Sequence, residues 1–269
     1  MTISHEVTGP VQKAGTRGAA AGGDALPLVL LHAGVGDSRM WDPQWAALVR
    51  TGRRVVRCDF RGFGTTPPAD GPYREADDVL ALMDGLGIER AVLVGSSNGG
   101  RVAQDVALDR PDRVGGLALF CAPVPGQQWQ PELLAFGERE DALLDAGDLD
   151  AATELNVVTW LGPEADDAAK ASLRTMQRRA FEVQSGLTED FAAAPVERDL
   201  SKIEVPTLVV SGAHDFQDFR DSAARLAAEL PDPRRVGLPW AGHLPTMERP
   251  DQTTRLLLDF LDAKFGAAA

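Results

Sequence analysis

The chain has 269 residues, 44% of them hydrophobic and 25% charged. That is enough apolar material for a full core, with the surface of an ordinary soluble protein. The formal net charge of −13 repels phosphate backbones and anionic lipid, so binding to nucleic acid or to a membrane surface is excluded as an expected function.

The N-terminus, MTISHEVTGPVQKAG, lacks a basic segment followed by an apolar one, so no signal peptide is expected. KAGTRGAAAGGDA (13–25) reads as a loop within an edge hairpin. LPLVLLH (26–32) is then a continuous apolar run of strand length, the form of a strand buried on both faces. RRVVRCD (53–59), ERAVLVG (89–95), VGGLALFC (114–121), PTLVVSG (206–212) and RRVGLPW (234–240) repeat that form. None is long enough to span a membrane. Cys58 and Cys121 each end such a run, which predicts reduced, packed thiols and, with no secretion signal, a cytoplasmic protein.

Between the strands lie helical segments at 38–52, 75–87 and 98–111, closed by Gly, Gly and Pro. Strands alternating with helices predict an α/β fold, a mostly parallel sheet with helices on both faces. The alternation breaks from Val124 to Ser201, where three helical stretches follow one another and Asp148 and Asp166 are placed to cap two of them. The expected organisation is a core of residues 1–123 and 202–269 with a helical lid at 124–201. A lid there would cover the strands' C-terminal ends, where open α/β sheets bind ligands.

Gly95-Ser96-Ser97-Asn98-Gly99 matches G-x-S-x-G after a predicted strand and before a predicted helix. A serine on so sharp a turn needs small residues two places to either side. Gly95 and Gly99 meet that need around Ser97, whereas Val94 and Asn98 fail it around Ser96. Ser97 is therefore the candidate nucleophile and Ser96 its neighbour. A hydroxyl is weak without a base. Of the four histidines, His243 sits in a loop after the last predicted strand, on the same rim as Ser97. His5 lies near the terminus, His32 opens a glycine loop, and His214 adjoins a candidate acid. That acid is Asp215, just past PTLVVSG, with Asp218 the nearest competitor and Asp199 on the wrong side of the strand. The oxyanion donors are expected to be the backbone N–H groups of Asn98 and of Gly34 in the loop after LPLVLLH.

Five segments in order then resemble the α/β-hydrolase superfamily: LLHAGVGDSRMW, CDFRGFGTT, VGSSNGG, VPTLVVSGAHD and AGHLPTMERP. The resemblance covers almost the whole chain and implies the α/β-hydrolase fold and a lid-bearing serine hydrolase of the carboxylesterase or enol-lactonase kind. Three departures stand out. Ala33 replaces a common Gly, Ser96 a common His, and Asn98 a larger apolar residue. A serine nucleophile also sets the chain apart from the dehalogenase and epoxide-hydrolase branches, which use Asp.

The expected reaction is cleavage of a small carboxylic ester or lactone through Ser97, His243 and Asp215 and an acyl-enzyme, with no cofactor and no metal. The alternatives are C–C bond hydrolysis of an anionic ring-cleavage product, which needs a lid arginine such as Arg174, Arg178 or Arg179 facing the pocket, and a receptor that does not turn over. The expected substrate pocket is Trp129, Phe136, Trp160 and Leu244. The expected partner is the small-molecule substrate, and a homodimer is left open.

Overall fold

Each of the six apolar runs forms a strand. The computed structural model describes residues 3–9, 25–185, 191–194 and 196–266. Its strands are β1 (His5–Thr8), β2 (Leu28–Leu31), β3 (Val55–Cys58), β4 (Ala91–Ser96), β5 (Val114–Phe120), β6 (Thr207–Gly212) and β7 (Pro233–Leu238). They make one sheet in the order β1-β3-β2-β4-β5-β6-β7. Only β1 runs antiparallel, against β3. β2, β4, β5 and β6 are buried at every position, which is why their sequences show no polar alternation. Successive residues still part to opposite faces: Val29, Leu31 and Leu93 enter one core, Leu28, Leu30, Val92 and Val94 the other.

Parallel neighbours require crossovers, and helices supply them. In chain order these are α1 (Asp42–Val49), α2 (Glu75–Gly85), α3 (Asn98–Asp109), α4 (Pro131–Asp145), α5 (Leu149–Trp160), α6 (Asp167–Gln184), α7 (Gln217–Glu229), α8 (Pro245–Glu248) and α9 (Pro250–Phe265). Residues of α2 and α3 pack into one core, and residues of α9 into the other. The fold is the α/β-hydrolase fold. No described helix is long and apolar enough to cross a membrane.

One expectation is corrected. β1 does not form a hairpin with β2, because β2 is already hydrogen-bonded on both sides, to β3 and β4. β1 takes the open edge of β3 instead. The loop read over 13–25 lies outside the described residues except for Ala25.

The helices α4, α5 and α6 stand between β5 and β6. Asp148 and Asp166 cap α5 and α6, accepting from the N–H groups of Ala151 at 3.0 Å and Ala169 at 2.8 Å. α5 packs against both α4 and α6, and α6 reaches back to the turn at Ser38–Trp41. Both cysteines are buried and free.

Candidate active site

Ser97 stands between β4 and α3, at the N-cap of the helix, with φ 50° and ψ −119°. A non-glycine residue in that region costs about 1–3 kcal/mol and persists only where its surroundings enforce it. Here they do. The Ser97 N–H donates to Phe120 O at 2.8 Å, and Ser97 O accepts from Gly100 N at 2.9 Å and Arg101 N at 3.1 Å, the first turn of α3. A side chain at Gly95 would collide with the backbone of Gly99 and Gly100, and one at Gly99 with the carbonyls of Leu31 and His32. Ser96 is fully buried, and its hydroxyl meets no partner among the described residues.

The structure brings His243 and Asp215 to Ser97. His243 Nε2 lies 2.7 Å from Ser97 Oγ, and its Nδ1 lies 2.9 and 2.8 Å from the two oxygens of Asp215. Nδ1 therefore carries the proton donated to the carboxylate, and Nε2 faces the hydroxyl as an acceptor. His243 is 2% exposed and Asp215 6%. The imidazole packs against Trp160 and Phe219, both rings tilted to it, with ring centroids 4.7 and 4.1 Å away. The Phe216 N–H steadies the Asp215 carboxylate at 2.8 Å.

Sequence reasoning missed two groups beside this chain. Glu248 is buried, and it accepts from the N–H groups of Gly242 at 3.0 Å and Leu244 at 3.2 Å, the residues on either side of His243. Burial pushes its carboxyl up, and backbone N–H groups partly offset this. Its signal was an acid five places beyond the histidine in MERP. Cys121 Sγ lies within 4.8 Å of ligand-type atoms of both Asp215 and His243. A metal there would need a thiolate, but burial and the Asp215 charge push this thiol well up, and Asp215 is already engaged by His243. The cluster fits proton chemistry better than a metal.

Gly34 lies beside Asn98: a Cβ on it would come within 3.8 Å of the Asn98 Cβ. Neither the Gly34 nor the Asn98 N–H donates to a described protein acceptor. His32 anchors the loop carrying Gly34. Its Nδ1–H donates to Ala33 O at 2.7 Å, and its Nε2 accepts from Phe60 N at 2.9 Å. Burial lowers its pKa and keeps the ring neutral, against the pull of Asp59, Asp37 and Glu75. Asp59 ties the next loop to this one, accepting from Ser38 N at 2.8 Å and Thr65 N at 3.0 Å. Burial raises its carboxyl, but those N–H groups outweigh it and leave the pKa below the usual range.

Ser97 and Asn98 line a cavity of about 860 Å³. Of the four expected pocket residues, only Trp129 is on its wall. Phe136 and Trp160 pack on each other at 5.0 Å, with Trp160 turned to His243, and Leu244 is fully buried in the core. Apolar composition alone could not separate these packed aromatics from a pocket lining. The cavity also carries a polar wall: Asn98 Nδ2 donates to Glu75 Oε1 at 2.8 Å, and Arg101 Nε donates to Asn98 Oδ1 at 3.0 Å.

Arg174, Arg178 and Arg179 do not line this cavity but a separate groove beside β1. Arg174 pairs with Glu154, and Arg178 with Asp150 and Glu182, on the outer face of the helices. Asp218, the competitor acid, accepts instead from Gln130 N at 2.7 Å, anchoring the lead into α4. Asp199 caps a short turn through Ser201 N. His5 and His214 are exposed.

A model of the Alpha/beta hydrolase family matches residues 28–256. A Variovorax paradoxus protein named "Putative carbamate hydrolase RutD" is 33% identical over 97% of this chain and 96% of its own length. The enol-lactonase from Burkholderia xenovorans is 28% identical, with TM-score 0.76 over 96% of each chain. A thermophilic esterase from Thermogutta terrifontis is 26% identical, with TM-score 0.77 over 98% of this chain and 94% of that one.

Proposed function

The chain belongs to the Alpha/beta hydrolase family, and from that premise we propose that it is a serine hydrolase cleaving a small carboxylic ester or lactone. The observation that carries this reading is the hydrogen-bonded series Ser97–His243–Asp215 on a strained turn, opening into a cavity. His243 Nε2 takes the Ser97 proton as Oγ attacks the carbonyl carbon. The N–H groups of Gly34 and Asn98 hold the oxyanion, and the positive end of α3 favours the same charge. Asp215 fixes the tautomer and stabilises the imidazolium. His243 then protonates the leaving oxygen, activates a water, and the acyl-enzyme is hydrolysed. In the same reading, α4 to α6 form a lid over residues 124–201, which the contact of α5 with His243 supports.

A carbamate carbonyl would meet the same groups, and the printed name of the Variovorax relative favours that second reading. Hydrolysis of an anionic C–C substrate has no such support, because Arg174, Arg178 and Arg179 lie away from the cavity. The test is a panel of short esters, lactones and carbamates with the wild type and Ser97→Ala. Turnover of esters or lactones that falls about 10⁴-fold or more in the variant is expected. Turnover of carbamates alone would select the second reading, and turnover unchanged in Ser97→Ala would defeat both.

A further inference from the structure

The residue after the nucleophile contributes more than a backbone N–H. Its side chain is held in a network that joins α2 to the turn and to α3. Arg101 donates to Asn98 Oδ1 from Nε at 3.0 Å and from its second terminal nitrogen at 2.8 Å. Asn98 Nδ2 donates to Glu75 Oε1 at 2.8 Å, and Arg101 pairs with the other oxygen of Glu75. These partners settle which end of the amide is which. One Nδ2 proton and the remaining lone pairs of Glu75 are left for a ligand.

Both described cations of this wall are paired. Arg101 is neutralised by Glu75 and by Asp105 at 2.8 Å. Arg61, the other cation on the cavity among the described residues, is held by both oxygens of Asp78 at 2.6 and 2.8 Å. A substrate carboxylate would therefore meet Glu75 with no free cation among the described residues opposite it. A plain alkyl group would strip water from the Asn98 and Glu75 atoms and replace nothing. A hydroxyl or amide can donate to Glu75 and accept from Asn98 Nδ2.

We infer that the Asn98–Glu75–Arg101 wall selects substrates carrying a neutral hydrogen-bonding group, a hydroxyl or an amide, close to the scissile carbonyl. This rests on the serine-hydrolase reading, because a carbonyl held by the Gly34 and Asn98 N–H groups lies directly against the Asn98 side chain. Sites built to bond a hydroxyl reject analogues without it far more strongly than apolar pockets reject a missing methylene.

The experiment compares matched esters: para-nitrophenyl butyrate with its β-hydroxybutyrate counterpart, and propyl acetate with hydroxypropyl acetate. The wild type is expected to favour the hydroxylated member of at least one pair by about tenfold or more in kcat/KM. Asn98→Ala and Glu75→Gln are expected to reduce that ratio to about twofold or less. A merely structural network would lower the melting temperature and leave the ratio alone. No preference in either pair, or a preference surviving both variants, overturns the inference. Ser97→Ala separates the two claims: turnover equal to wild type would sink the serine mechanism while the ratio still tests the wall. Saturation-transfer NMR of 2-pentanone and 4-hydroxy-2-pentanone gives the same comparison without turnover. There, equal signals from the two ketones contradict the inference, and a stronger 4-hydroxy-2-pentanone signal that Glu75→Gln removes supports it.

Discussion

The backbone N–H of His243 donates to the carbonyl oxygen of Trp160 at 3.0 Å, and the two rings lie 4.7 Å apart. Trp160 is the last residue of α5, so the helices between β5 and β6 hold the loop of the proposed base. The indole is fixed in turn, because its Nε1 donates to Asn156 Oδ1 at 2.8 Å one helical turn earlier. Asn156 is fully buried and also bonded to Glu140 of α4. A line of contacts thus runs from α4 through α5 to the imidazole.

Trp160→Ala removes one of the two rings packed against the imidazole and leaves it room to shift. Misplacing a reacting group by about 1 Å costs on the order of 10²-fold, so kcat is expected to fall by about 10–100-fold with a smaller change in KM. Stability is expected to fall by about 3–5 kcal/mol. Trp160→Phe is expected to recover most of kcat. Steady-state kinetics and denaturant melts on both variants check this.

Gly99→Ala sets a methyl against the Leu31 and His32 carbonyls. Overpacking against backbone that cannot move is expected to cost about 1–3 kcal/mol and to shift the Ser97 turn. A lower urea midpoint together with lost turnover is the expected result. Full stability would mean that the strands yield there.

His32 titrates below its ordinary value because burial disfavours the imidazolium. With the folded pKa depressed, the unfolded chain binds the extra proton first. The contribution of His32 to stability is therefore complete above about pH 6.5 and is lost as pH falls through the folded value. The stability gap between wild type and His32→Asn, from urea melts across pH 5 to 8, is expected to narrow on the acid side. A gap independent of pH would contradict this assignment.

Much of this was legible because it depends on short-range rules. Continuous Val and Leu runs marked the strands, and the two glycines around Ser97 separated it from Ser96 through the space each leaves. β1 was not legible: His5–Thr8 is four largely exposed residues with no burial pattern. Glu75 and Arg101 were missed because their meaning depends on a third residue. Arg101 lies one helical turn beyond Asn98, and Glu75 is brought to both only when α2 packs on α3. Phe136, Trp160 and Leu244 looked like pocket residues because sequence shows that a side chain is apolar and not which way it faces.

Ser97 is the proposed nucleophile. Treating the folded protein with a fluorophosphonate and mapping the adduct by peptide mass spectrometry tests it most directly. A single stoichiometric adduct on Ser97 is expected, absent in Ser97→Ala and formed far more slowly in His243→Ala. A folded wild-type protein that is not labelled, or an adduct on Ser96 or another residue, would contradict it.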